Sequence, residues 1–168
     1  TSDKCYENVE WLWGYRENDR LGGKDPYSAS KACAELISKV YMESFFGESG
    51  PNIATARAGN VIGGGDWALD RIVPDCVRAW SKDEKVLIRN PSATRPWQHV
   101  LEPLSGYLLL AEKLYENDSE FSGAWNFGPE EENVQPVKRI LEQLSSYWEG
   151  QVSWKIEDHD HPSEPYCV

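Results

Sequence analysis

The 168-residue sequence has little of several features that would place it quickly in a class. Its four cysteines, Cys5, Cys33, Cys76 and Cys167, lie far apart without a Cys-x-x-Cys pair, which excludes a zinc knuckle and a dithiol redox motif. We therefore expect reduced thiols in a cytoplasmic protein. The longest apolar runs, such as 107–111, fall far short of the roughly 20 residues of a membrane span, so we expect no membrane partner.

Positive charge is also scarce. The chain carries 17 Lys and Arg residues against 28 Asp and Glu residues, a formal net charge of −11. Such a balance repels phosphate backbones, so nucleic acid is not an expected partner. The run Asp158-His159-Asp160-His161 contains metal-ligand types, but we interpret it as a solvated loop and predict no metal site.

The two ends of the chain are the next feature. It opens on Thr1, without Met or a basic and apolar leader, and it stops at Val168 without a closing element. We expect both ends to be cut from a longer protein. The length itself fits one domain of about 100–200 residues.

Apolar spacing and Gly/Pro punctuation predict alternating helices and strands. Helices are predicted over 28–46, 69–81, 103–115 and 136–148, and extended segments over 53–57, 86–88, 94–100, 124–127 and 152–156. In the third helix the apolar residues are expected to pack inward, namely Leu104, Leu108, Leu110, Ala111 and Leu114. Residues 5–25 show no period and predict an ordered loop. Strand, helix and strand in succession favour a right-handed parallel sheet.

This order predicts an α/β fold, a partial Rossmann-like doubly wound parallel sheet with a smaller α/β substrate lobe. We assign residues 1–62 to the sheet domain that carries the catalytic residues. Residues 63–168 are assigned mainly to the smaller lobe, with segments returning to the sheet.

Tyr27 and Lys31 lie one helical turn apart at the start of the first helix. An ammonium beside a phenol favours the phenolate, which suits proton abstraction. Such pairs are common on solvated helices, so the spacing alone does not assign a function. A Ser2-Asp3-Lys4 turn and a Gly/Asn loop at 58–67 supply the context, because the carboxyl ends of parallel strands converge on one crevice.

Asp3 and Lys4 raise a geometric question of their own. Adjacent residues of an extended strand point to opposite faces, so both can reach one ligand only if the chain turns at Ser2 to Lys4.

Several segments together resemble the catalytic portion of the extended short-chain dehydrogenase/reductases and, within them, the branch of CDP-glucose 4,6-dehydratases. The resemblance is carried by residues 1–4, 10–19, 27–31, 57–67, 95–100 and 126–129. Related dehydratases of dTDP-glucose carry Thr-Asp-Glu where this chain has Ser2-Asp3-Lys4, and the lysine indicates the CDP-glucose branch. The glycine-rich cofactor turn of the family's amino-terminal half is missing, so we expect this chain alone to hold NAD weakly and to be inactive.

The resemblance implies a reaction in deoxysugar and O-antigen lipopolysaccharide biosynthesis. CDP-glucose is oxidised at C4, loses water across C5 and C6, and regains the hydride at C6, with NAD as cofactor. Tyr27 is the implied base at C4, with Lys31 and Ser2 beside it. Asp3 is assigned as the acid at C6, and Lys4 as the base at C5 or its electrostatic helper, although the two roles could be exchanged.

The resemblance also implies the binding residues. Tyr27, Lys31, Ala58 and Gly59 are assigned to NAD, and Ser2, Asn60, Arg71 and Arg95 to the CDP-hexose. The smaller lobe at 63–168 is implied to be mainly the sugar-nucleotide-binding lobe. A homodimer or homotetramer is expected through the 28–46 helix.

Three other functions are alternatives to a CDP-glucose dehydratase. They are a nucleotide-sugar epimerase, which needs no elimination pair, a dTDP- or GDP-hexose dehydratase, and a non-catalytic sugar-nucleotide module.

Overall fold

The fold is described from a computed structural model, which covers residues 1–9, 11, 13–46, 50–116, 119–130 and 133–157. Its helices are α1 (Pro26–Tyr41), α2 (Ile72–Trp80), α3 (Leu101–Tyr115) and α4 (Val137–Tyr147). Its strands are β1 (Ala54–Ala58), β2 (Val61–Ile62), β3 (Val86–Ile88), β4 (Thr94–Pro96), β5 (Gln98–His99), β6 (Gly123–Phe127), β7 (Val134–Pro136) and β8 (Trp154–Ile156). Asp158-His159-Asp160-His161 and Cys167 lie outside the described residues.

The strands pair two by two. β1 and β6 run parallel from Ala54 opposite Gly123 to Ala58 opposite Phe127. The pairs β2–β5 and β3–β8 are also parallel, and β4–β7 is antiparallel. The prediction of a mixed α/β fold with parallel strands is confirmed. β6 comes from the second part of the chain and pairs with β1 of the first, while the boundary between 62 and 63 stays a prediction.

The first helix begins two residues earlier than predicted. The Asp25 side chain caps it by accepting hydrogen bonds from the backbone N–H groups of Tyr27, at 2.9 Å, and Ser28, at 3.0 Å. Pro26 follows at the first helical position, where a missing N–H has no cost. The α-helix ends at Tyr41, and Met42–Phe46 continues as a π-helical turn.

α1 and α3 each bury few residues, and the buried face of α3 differs from the predicted one. In α1 the buried residues are Ser28, Ala32 and Glu35. In α3 only Pro103 and Leu110 are buried, whereas Leu104 and Leu108 are exposed, Leu108 by 73 %. The prediction that Leu104, Leu108 and Ala111 pack inward is therefore wrong for the described residues. Apolar residues surround most of α3, so their spacing did not identify the buried face.

The largest apolar core lies in the second part of the chain. Its buried members come from α2, β3 and α4, namely Cys76, Trp80, Val86, Ile88 and Leu141. A smaller cluster of Cys5, Tyr6 and Tyr15 fixes the segment after the Ser2-Asp3-Lys4 turn, and Tyr6 pairs with Leu21 in an antiparallel bridge. This agrees with the ordered loop predicted for residues 5–25. No helix within the described ranges is long and apolar enough to cross a membrane.

Candidate functional site

A tight turn holds the first group of predicted site residues. Asp3–Cys5 forms one turn of 3₁₀ helix, and the Ser2 hydroxyl caps it by accepting a hydrogen bond from the Lys4 N–H at 3.1 Å. The turn closes with the Cys5 N–H donating to the Ser2 carbonyl at 3.2 Å. Because the chain turns here, Asp3 and Lys4 face the same cleft, as the geometric argument from the sequence required.

The carboxylate of Asp3 is unusual because the residue is only 5 % exposed. Burial raises the pKa of Asp3, and the positive charges of Lys4 and Arg95 oppose that rise. The Lys4 Nζ lies 3.8 Å from the Asp3 Oδ2. Among the residues that the structure describes, neither of these two atoms has a hydrogen-bond partner. A carboxyl with a raised pKa and a spare oxygen can give a proton to a bound molecule.

The second group stands at the start of α1. Tyr27 is 55 % exposed and lines the same cleft as Asp3 and Lys4. The Lys31 Nζ lies 5.1 Å from the centre of the Tyr27 ring, so the ammonium is held against the phenol. Lys31 itself is not among the cleft-lining residues. The Asp25 cap fixes the first turn of α1 and thereby the place of Tyr27.

The third group follows β1. Ala58 ends the strand, Gly59 and Asn60 follow it, and all three line the cleft. Arg71, the residue before α2, lines it as well. The cleft has a volume of about 420 Å³. It brings together eight of the ten predicted site residues: Ser2, Asp3, Lys4, Tyr27, Ala58, Gly59, Asn60 and Arg71.

Arg95 is placed differently from these eight. It is buried on β4, and its Nη1 donates to the Thr94 carbonyl at 2.9 Å. It does not line the cleft, but its charge lowers the pKa of Asp3. A role for Arg95 in substrate binding stays a prediction.

Sequence reasoning missed part of the cleft wall. Gly63, Gly64 and Asp66 also line it, together with Val61 and Val100. Gly63 is required there, because a Cβ atom at this position would lie 2.6 Å from a methyl group of Val100. The triple glycine was visible in the sequence, but nothing in it indicated Val100 as the neighbour.

A second cavity of about 250 Å³ adjoins the cleft and shares Asn60, Asp66 and Arg71 with it. Trp67 and Trp97 also line this cavity. The positions of Trp67 and Trp97 along the chain did not indicate that they line one cavity. Within the part of the chain that the structure covers, no group of three His, Cys, Asp or Glu residues could hold a metal ion.

The small residues at the end of β1 can accommodate the cofactor that the resemblance implies. Ala58 and Gly59 line the cleft beside the exposed Tyr27, so a flat ring could approach the backbone there. The described residues thus fit the nicotinamide end of NAD.

The cleft, the parallel strands and the Tyr27–Lys31 pair define a Rossmann-like α/β protein, and comparison with known families agrees. The chain belongs to the NAD-dependent epimerase/dehydratase family, whose model matches residues 2–128. The family's description as NAD-dependent agrees with the predicted cofactor.

More particularly, the chain is 50 % identical over 173 residues to the CDP-glucose 4,6-dehydratase of Salmonella typhimurium, covering 100 % of this chain and 48 % of that protein. The chain thus spans about half the length of this curated relative.

Solved structures share the fold. A UDP-N-acetylglucosamine 4-epimerase from Methanobrevibacter ruminantium has a TM-score of 0.74 at 22 % identity, covering 98 % of this chain and 50 % of that one. A dTDP-glucose 4,6-dehydratase from Bacillus anthracis, in complex with NAD, has a TM-score of 0.71 at 19 % identity, covering 95 % and 49 %.

Proposed function

We propose that the protein containing this chain is an NAD-dependent dehydratase that converts CDP-glucose to CDP-4-dehydro-6-deoxyglucose. The observation that carries the proposal is the presence of Tyr27 and the Asp3–Lys4 pair on one cleft. Oxidation of a hydroxyl needs only the tyrosine and its lysine. An additional acid and base beside them suit the removal of water from the neighbouring carbons.

Tyr27 acts at C4 of the sugar. It is the base that takes the proton of the C4 hydroxyl, and the Lys31 ammonium lies beside its ring. The Ser2 hydroxyl orients the same sugar hydroxyl. Ala58 and Gly59 would hold the nicotinamide end of NAD, which would supply hydride transfer from C4 and back to C6.

Asp3 and Lys4 act at C5 and C6. Once C4 is a ketone, the proton on C5 becomes acidic, and a base can remove it while an acid protonates the departing C6 hydroxyl. The raised pKa of Asp3 favours the protonated carboxyl, which fits the acid. Lys4, next to it, takes the C5 proton or stabilises the enolate that forms there. Both groups belong to one turn, so they can face adjacent carbons of one ring.

Asn60, Arg71 and Arg95 are proposed to hold the CDP portion. An arginine suits a diphosphate because its guanidinium donates two parallel hydrogen bonds. Asn60 and Arg71 line both cavities. A ligand that fills both cavities would therefore contact both residues. The choice of CDP over dTDP or GDP rests on Lys4 and on the Salmonella relative. The product of the proposed reaction is a precursor in deoxysugar synthesis for lipopolysaccharide O-antigen.

The exposed side of α1 supports a homodimer or homotetramer. Leu36, Ile37, Val40 and Tyr41 are each more than half exposed, and Phe45 of the following turn is exposed as well. Such a patch favours a protein interface. Cys5, Cys33 and Cys76 are free thiols, which fits the reducing cytoplasm as the proposed location.

The test uses the intact protein with NAD and CDP-glucose. The expected product is a 4-keto-6-deoxy sugar, and Tyr27→Phe should abolish its formation. Lys4→Ala should still oxidise C4 slowly, seen as reduced cofactor, while the loss of water collapses. Normal turnover by Lys4→Ala would overturn the assigned roles, and a C4-epimerised sugar as the product would instead support the epimerase alternative.

A further inference from the structure

A carboxylate in the middle of α1 is buried although it lies outside the catalytic cleft. Glu35 accepts hydrogen bonds from the Arg57 Nη2 at 2.6 Å and the Thr55 hydroxyl at 2.8 Å, and a third from the Thr1 hydroxyl. The Glu35 and Arg57 side chains are 2 % and 4 % exposed. A buried ion pair with this many hydrogen bonds has one well-defined geometry.

The three donors come from two different segments. Thr55 and Arg57 belong to β1, which leads directly into Ala58 and Gly59 at the cleft. Thr1 immediately precedes the Ser2-Asp3-Lys4 turn, and its nitrogen also donates to the Ala56 carbonyl at 3.0 Å. The acceptor, Glu35, belongs to α1. One carboxylate therefore joins the segments that carry all three groups of site residues.

Glu35 is also aligned with the catalytic pair. Tyr27, Lys31 and Glu35 follow one another at four-residue spacing along α1, so they form one stripe of the helix. A shift of α1 that breaks the Glu35 contacts would also move Tyr27 relative to the turn.

Arg57 extends the same connection to the loop. Its Nη1 donates to the Tyr6 hydroxyl at 2.7 Å and to the Glu17 carbonyl at 3.0 Å. The Tyr6 hydroxyl in turn donates to the Asn126 Oδ1 on β6 at 2.7 Å. The segment that follows the Ser2-Asp3-Lys4 turn is thus held to β1 through Arg57 and to β6 through Asn126.

We propose that Glu35 is a positioning residue, which through Thr1 holds the Ser2-Asp3-Lys4 turn in register with Tyr27 on α1. The inference rests on the proposed function, because it is in a dehydratase that oxidation at C4 and elimination across C5 and C6 must act on one bound sugar. Tyr27 and the Asp3–Lys4 pair must then keep a fixed separation, and the Glu35–Thr1 contact sets it.

The chain offers a matched pair of variants to test this. Thr1→Val and Thr55→Val each remove one hydroxyl from the same Glu35 carboxylate, but only Thr1 leads into the turn. In the intact protein, Thr1→Val should lower kcat for CDP-glucose by about 10- to 100-fold with KM almost unchanged, because small misplacements of catalytic groups are costly. Thr55→Val should stay within about twofold of the wild type in kcat. Thr1→Ser, which restores the hydroxyl, should recover the rate.

A second measurement does not depend on turnover. The Asp3 carboxyl, which faces Lys4 and Arg95, can be titrated by carbon NMR in both variants. In Thr1→Val the loosened turn should admit water, so the pKa of Asp3 should fall toward its ordinary value, whereas Thr55→Val should leave it at the wild-type value.

The outcomes separate the two proposals. Equal effects of Thr1→Val and Thr55→Val on kcat and on the Asp3 titration would overturn the positioning role. If the wild type forms no product from CDP-glucose, the proposed function fails, and the Asp3 titration alone still decides whether Glu35 positions the turn.

Discussion

Replacing Glu35 by alanine should lower the free energy of unfolding of the intact protein by about 3–5 kcal/mol, because it leaves a buried Arg57 charge without its partner. The two side chains are almost fully buried, and the Arg57 Nη2 lies 2.6 Å from the Glu35 Oε2. The variant also removes the acceptor of the Thr55 hydroxyl and one of the two acceptors of the Thr1 hydroxyl, which keeps the Ala56 carbonyl at 3.3 Å. With a typical urea m-value of about 2 kcal/mol/M, the unfolding midpoint should fall by roughly 2 M.

The π-helical turn that continues α1 provides the control. Glu43 pairs with Lys39 at 3.8 Å, but the two side chains are 65 % and 67 % exposed. Exposed pairs of this kind contribute about 0–0.5 kcal/mol, so Glu43→Ala should barely move the urea midpoint. The double variant Glu35→Leu/Arg57→Met removes both charges and should regain much of the loss. If Glu35→Ala costs less than about 1 kcal/mol, as an exposed pair would, the reasoning is refuted.

The pH dependence gives an independent check of the same pair. Burial alone would raise the pKa of Glu35, but the hydrogen bonds from Arg57, Thr1 and Thr55 outweigh it, so the pKa of Glu35 lies below its ordinary value. A lowered pKa in the folded state stabilises the fold above the unfolded pKa of about 4.3, and this contribution is lost as the pH falls through the folded pKa. The difference in unfolding free energy between wild type and Glu35→Ala should therefore shrink in acid.

Two further substitutions test the elements that hold the site. Asp25→Ala removes the cap of α1 and should lower the free energy of unfolding in urea by about 1 kcal/mol. Asp25→Asn keeps a hydrogen-bond acceptor and should lower it by less. Equal losses of stability in the two variants would refute the capping role. Gly63→Ala should cost about 1–3 kcal/mol in the same assay, because its Cβ would collide with Val100. Gly64→Ala, with no atom within 4 Å, is its control, and similar losses for both would contradict the packing described.

The helix α1, the four-residue spacing of Tyr27 and Lys31 and the need for a turn at Ser2 to Lys4 could be predicted from local sequence. The start of α1 at Pro26 was not predicted, because the helix was expected to begin at residue 28. Ser2 is a typical capping residue, and the turn that it caps allows Asp3 and Lys4 to share a cleft. These features depend on residues close together in the chain, which is why the sequence was sufficient for them.

Contacts between distant segments could not be read in the same way. Nothing in the spacing of α1 shows that Glu35 is buried, because its partner Arg57 lies 22 residues away on a strand. The exposed Leu108 was expected to be buried for a related reason, since hydrophobicity indicates that a face needs covering but not what covers it. The cavity beside Trp97 depends likewise on packing between separate elements.

The most direct test of the proposed dehydration follows one hydrogen atom. The intact protein, with NAD, is given CDP-glucose that carries deuterium at C4, and the product is examined by NMR. The account predicts that the deuterium moves to C6 of a 4-keto-6-deoxy sugar, while C5 gains a hydrogen from solvent. Deuterium that remains at C4, in the substrate or in its C4 epimer, would contradict it.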